Sequence, residues 1–199
     1  MNLLHILDLV SIFAFALVGA RVAADRGLDY GGITFIAIIA SISGGTLRNV
    51  FLGIMPIWIT DPWVIATVIL AVVVTLTIRR VTYIGGTLLA LDTFGLAFAT
   101  MSGAQLAHDL DIPWYAVIIM GVITAVTGGL LRDVLVQVEP VLLHRETIGT
   151  SSLGGAIAYV TLVNSGIDSI LSVIVGGAIV IAIRVASIKF DLHLPKFSA

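Results

Sequence analysis

Arg48 and Arg132 are the residues best placed to do chemistry in this chain, because each is a permanent cation set in otherwise apolar sequence. They occupy matching strings, Gly44-Gly45-Thr46-Leu47-Arg48-Asn49 and Gly128-Gly129-Leu130-Leu131-Arg132-Asp133. A guanidinium inside a membrane span is costly, so it faces a partner, water or the bundle interior. The fixed carboxylates available to it are Asp8, Asp92 and Asp133, and these need partners for the same reason. Two kinds of chemistry follow. In one, aspartates and arginines form a network that locks helices together or lines a path for ions. In the other, the arginine and the free N–H groups at the start of a half-helix receive the carboxylate of a small solute. Asp133 is matched by Asn49 in the first string, so a charge pair at that position is not required by both.

Other chemistry is thinly represented. His5, His108 and His144 fall at span ends or loops and His193 in the tail, with no metal-ligand spacing. There is no H-E-x-x-H, Walker A or G-x-S-x-G pattern, so neither an enzyme nor a resident metal or cofactor is expected. The absence of cysteine excludes disulfides and thiolate metal sites. A hydrophobic fraction of 59%, a charged fraction of 11% and a mean hydropathy of +1.14 describe a membrane protein. Ten basic residues among 199 make nucleic acid an unlikely partner, and the lipid bilayer is the expected surroundings.

The elements that position the two strings are spans expected at 4–23, 31–58, 62–78, 84–106, 113–142, 147–164 and 167–187. The N-terminal stretch holds Asp8 and lacks a small-residue cleavage pattern, which reads as a retained first span. Gly44 and Gly128 differ by 84, and the same offset relates Asp8 to Asp92, Gly19 to Gly103, Asp25 to Asp109 and Pro56 to Pro140. Without a gap, residues 7–60 agree with 91–144 at 13 of 54 positions. The chain is therefore an internal duplication: 1–83 form one three-span unit, 84–166 a second, and 167–199 hold a seventh span and a tail. Three spans are an odd number, so the second unit enters the membrane inverted relative to the first, and solute sites in such pairs lie where the repeats meet.

Loop basic residues alternate along the chain: Arg21 and Arg26, then Arg79 and Arg80, then Arg145, then Lys189 and Lys196. The positive-inside rule puts the N-terminus outside and the C-terminus in the cytoplasm, with Arg184 at the inner end of the last span. Trp58, Trp63 and Trp114 then fall near the outer interface. The second and fifth spans are too long for straight crossings, and each has a Gly-Gly pair mid-span with a proline twelve residues on. These features predict a kink at Gly44-Gly45 and at Gly128-Gly129, opened to a hydrated cavity. Small residues at four-residue spacing (Ala37, Ser41 and Gly45; Gly121, Ala125 and Gly129; Gly95, Ala99, Gly103 and Ala107) predict close helix contacts. Asp25 and Asp109 read as caps or solvated charges.

Two three-span copies, each with Gly-Gly-x-x-Arg-Asn/Asp in its middle helix and a proline beyond, followed by a seventh span, resemble the trimeric intracellular cation (TRIC) channel family in its prokaryotic branch, part of which carries a glycine-transporter label. The resemblance covers nearly the whole chain. It implies a homotrimer in the bacterial inner membrane with a water-filled pore in each protomer, passing monovalent cations such as potassium. Carried over by motif, Gly44, Gly45, Arg48 and Asn49 form one bend of the pore and Gly128, Gly129, Arg132 and Asp133 the other. Asp8 and Asp92 with the two arginines are expected to hold the closed state. The region Val126-Thr127-Gly128-Gly129-Leu130-Leu131-Arg132 has no lysine, so the lipid-binding feature of animal members is not expected. The alternative is a carrier of glycine or another small amino acid.

Overall fold

The computed structural model describes residues 3–78, 84–138 and 147–190. Among them all regular structure is helical: α1 Leu3–Asp25, α2 Tyr30–Phe51, a short α3 Ile57–Thr60, α4 Pro62–Thr77, α5 Ile84–Asp109, α6 Trp114–Leu135, α7 Thr147–Asn164 and α8 Ser169–Phe190. A helix stands at each of the seven expected spans. Five of them, α1, α2, α5, α6 and α8, have a stretch long and apolar enough to cross a membrane; α4 is apolar but only 16 residues long.

Several starts are set by aspartate. Asp29 accepts from the Gly32 N–H at 2.7 Å before α2, Asp61 from the Trp63 N–H at 2.9 Å before α4, and Asp168 from the Ile170 N–H at 2.9 Å before α8. Each carboxylate satisfies an N–H that has no partner within its helix. Pro62 holds the first helical position of α4, where its missing N–H costs nothing, and Pro113 caps α6.

The two long spans are corrected. The helical backbone of α2 runs through Gly44 and Gly45 and stops at Phe51, and that of α6 runs through Gly128 and Gly129 and stops at Leu135. No break is present at either glycine pair. The interruption comes after Leu52 instead, where the chain turns at Gly53 and restarts as α3 behind Pro56. Pro140, the matching proline, lies outside the described residues, as do Arg79, Arg80, His144, Arg145, His193 and Lys196.

The duplication is written into the backbone as well as the side chains. Leu28 N–H donates to the Ala23 carbonyl and Ile112 N–H to Ala107; Ile54 N–H donates to Asn49 and Val138 N–H to Asp133. These six-to-one bonds close each helix end, and they need a left-handed residue just before the donor. Gly27 and Gly53 supply it in the first copy, with φ of 75° and 69°. In the second copy Asp111 and Gln137 adopt φ of 55° at the equivalent places without being glycine.

Equivalent helices of the two copies meet antiparallel. Asp8 of α1 bonds to Ser102 of α5, while Phe15 lies against Gly95, so positions in contact add up to 110. In α2 and α6, Gly44 abuts Thr124 and Gly128 abuts Ala40, adding up to 168. Of the five long apolar helices, α1 and α5 are buried most and α8 least. α8 packs on α5 and α7.

Candidate functional site

Glycine builds the site by letting backbones touch. A Cβ on Gly44 would overlap the Thr124 carbonyl oxygen, and one on Gly128 would overlap the Ala40 carbonyl oxygen. One helix turn behind, Gly19 of α1 sits on Ile36 and Ala40, and Gly103 of α5 sits on Met120 and Thr124, equivalents in the offset of 84. The second glycine of each pair is different. A Cβ on Gly45 would find only its own Arg48 Nη2 at 3.8 Å, and one on Gly129 only Arg132 Nη2 at 3.8 Å. The first glycine therefore fixes the α2–α6 crossing, and the second leaves space beside the arginine.

The four residues expected to form one network divide into two. Arg48 is fully buried, at 1% exposure. Its Nη1 donates to Asp8 Oδ1 at 3.1 Å and to Ser102 Oγ at 2.7 Å, its Nη2 reaches Asp8 Oδ2 at 3.4 Å, and its Nε donates to Asn49 Oδ1 at 2.9 Å. Ser102 in turn donates a short hydrogen bond to Asp8 Oδ1. Arg132 repeats the core of this arrangement, with Nη1 to Asp92 Oδ1 at 3.1 Å and Nε to Asp133 Oδ1 at 2.8 Å. In both copies the carboxylate comes from the first helix and the arginine from the second, 40 positions on.

The copies differ in three ways. Ser102 reaches the Arg48 cluster from the other repeat, and its equivalent, Val18, is apolar. Among the described contacts Asp8 and Arg48 meet one to one, whereas Arg132 meets two carboxylates, Asp92 and Asp133. Asn49 also donates from Nδ2 to the Met55 carbonyl at 2.8 Å, tying the turn before α3 to the cluster, and Trp58 Nε1 donates to Thr46 Oγ1 at 3.1 Å. A carboxylate at Asp133 has no such donor to offer.

Ten residues separate Asp92 from Ser102 on α5, so the two clusters stand about 15 Å apart along the helix axis, on either side of the α2–α6 crossing. Each borders a small cavity. One, of about 20 Å³, is lined by Asp8, Ser11, Phe15, Ser41, Gly45 and Ala99 among others. The other, of about 10 Å³, is lined by Phe15, Asp92, Leu96, Gly129, Arg132 and Asp133 among others. These hold a water molecule at most.

Of the remaining expected positions, Asp25 pairs with Arg21 Nε at 3.1 Å across one helix turn. Arg184, placed by sequence at the inner end of the last span, is completely buried inside α8. Sequence reading missed Ser102 because the duplication offers no polar equivalent to flag it, and it missed the Asn49–Met55 tie because the turn was taken as helix.

The family model described as Glycine transporter matches the chain twice, over residues 5–80 and 89–164, again offset by 84. A UPF0126 membrane protein of Vibrio cholerae is 32% identical over 99% of this chain and 84% of its own length. The UPF0126 inner membrane protein YadS of Escherichia coli is 28% identical over 98% of this chain and 97% of its own. Among solved structures, a TRIC trimeric intracellular cation channel orthologue from Rhodobacter sphaeroides superposes with a TM-score of 0.90 at 32% identity, covering 96% of this chain and 100% of that one.

Proposed function

Because the chain belongs to the TRIC cation channel family and is an integral membrane protein of the bacterial inner membrane, we propose that it conducts monovalent cations, potassium among them, through a path in each protomer. One observation carries the choice of charge. Each motif arginine is met by a fixed aspartate at 3.1 Å, so neither guanidinium is left to attract an anion, and among the described contacts Arg132 is shared by a second carboxylate, Asp133. Carboxylates favour cations along a narrow path.

In this reading residues 1–83 and 84–166 are inverted halves, consistent with their antiparallel equivalent helices, and 167–199 add a peripheral helix. The N-terminus lies outside, the C-terminus lies in the cytoplasm, and the protein assembles as a homotrimer like its Rhodobacter relative. The path passes Gly44, Gly45, Arg48 and Asn49 on one side and Gly128, Gly129, Arg132 and Asp133 on the other. The pairs Asp8–Arg48 and Asp92–Arg132 hold it closed, and opening breaks at least one of them. The second reading, a carrier of glycine, is favoured by the description of the matching family model alone. Purified protein in liposomes under a potassium gradient separates the two. Potassium flux with no saturable glycine exchange is expected; glycine uptake without potassium flux would overturn the channel.

A further inference from the structure

The two cavities share one wall. Phe15 of α1 lines both, and it is 5% exposed, so its ring fills the space between the Asp8 side and the Asp92 side. The ring has a dedicated slot. A Cβ on Gly95 of α5 would lie 3.1 Å and 3.2 Å from the ring atoms Cε1 and Cδ1, closer than side chains normally tolerate. The equivalent of Gly95 in the first copy is Ser11, and the equivalent of Phe15 in the second is Ala99, which lines the larger cavity. One bulky aromatic is thus placed close to the pseudo-two-fold axis, where the antiparallel α1 and α5 cross, with a small residue at the matching site. Without the ring, nothing else lines both cavities among the residues that border them.

We propose that Phe15 is an apolar plug that separates two hydrated half-paths, one ending at Asp8–Arg48 and the other at Asp92–Arg132. The proposal rests on the reading of these clusters as a permeation path and adds where that path is shut. A ring in a passage about one water wide excludes water by its shape and by dewetting, so an ion cannot pass until it swings aside. The ion pairs set the charge of each half-path, and the ring decides whether the halves communicate.

The test uses the full chain in liposomes and exploits the absence of native cysteine. Ser11→Cys places a thiol in one cavity and Leu130→Cys places one in the other. With Phe15 present, a membrane-impermeant thiol reagent is expected to reach each thiol from one side at most. With Phe15→Val, each is reached from both sides and potassium flux rises several-fold. Phe15→Leu, close in bulk, guards against loss of fold and gives a smaller rise. Labelling does not depend on which solute passes: a chain that carries glycine and no potassium, yet shows the labelling change, sinks the cation reading and leaves the plug standing. A thiol already reached from both sides in the parent, or a folded Phe15→Val protein with unchanged labelling and flux, overturns the plug.

Discussion

Replacing Asp8 by asparagine is expected to damage the protein far more than the same change at Asp92, although the two positions are equivalent by sequence. Arg48 is buried at 1% exposure, and among the contacts described for it Asp8 is the only carboxylate; its other partners are Ser102 and Asn49. At 3.1 Å and an effective dielectric of about 20, the attraction lost is about 5 kcal/mol. Removing one member of a buried pair costs about 3–5 kcal/mol, because the remaining charge is stranded. Arg132, by contrast, keeps Asp133 at 2.8 Å when Asp92 is neutralised, so the loss there is about 2 kcal/mol, the scale of one charge-assisted hydrogen bond. For a chain of this length Asp8→Asn should lower the apparent Tm in detergent by on the order of 10 °C, and Asp92→Asn by less than half as much. A second arm sharpens the test. Asn49 Oδ1 already accepts from Arg48 Nε at 2.9 Å, so Asn49→Asp in the Asp8→Asn background gives the first cluster the carboxylate that the second has at Asp133. It should recover part of the lost Tm, less what the Asn49–Met55 hydrogen bond contributes, since a carboxylate cannot donate to that carbonyl. Equal effects at Asp8 and Asp92, or no recovery with Asn49→Asp, would refute the reasoning from charge compensation.

The glycine pairs make opposite predictions for neighbouring residues. Gly44→Ala and Gly128→Ala force a methyl into a carbonyl oxygen and should cost about 3 kcal/mol each, while Gly45→Ala and Gly129→Ala meet nothing closer than 3.8 Å and should gain about 0.5–1 kcal/mol of helix stability. Apparent Tm values of the four variants check this, and a uniform response would argue that the pairs act as hinges after all. Gln137→Gly relieves a left-handed residue at the end of α6 and should stabilise by about 0.5–1 kcal/mol, seen as a small rise in the same assay; a fall would mean that the Gln137 side chain contributes more than its backbone costs.

Much of the fold could be read before any coordinate. The offset of 84, the all-helical membrane fold and the aspartates facing the arginines all come from residue types whose cost in an apolar setting leaves few alternatives. What escaped had three physical causes. Gly44-Gly45 suggested a break because glycine weakens a helix, yet the helix runs through the pair and Gly44 serves contact with Thr124 on the facing helix. The length of the second span misled because Leu52 to Pro56 is apolar without being helical, and hydropathy cannot see the turn at Gly53. Ser102 was invisible for a third reason. It departs from the duplication, since Val18 stands at its equivalent, and so carries no repeat signal.

That departure has a consequence for direction. Two identical half-chains assembled about the same axis would carry the same residue at both ends and could not tell one face of the membrane from the other. Joined in one polypeptide, the halves are released from that constraint: Ser102 answers to Val18, Asn49 to Asp133 and Phe15 to Ala99. The two ends thereby differ: at one, Arg48 meets Asp8, Ser102 and a strapping Asn49, and at the other Arg132 meets Asp92 and Asp133.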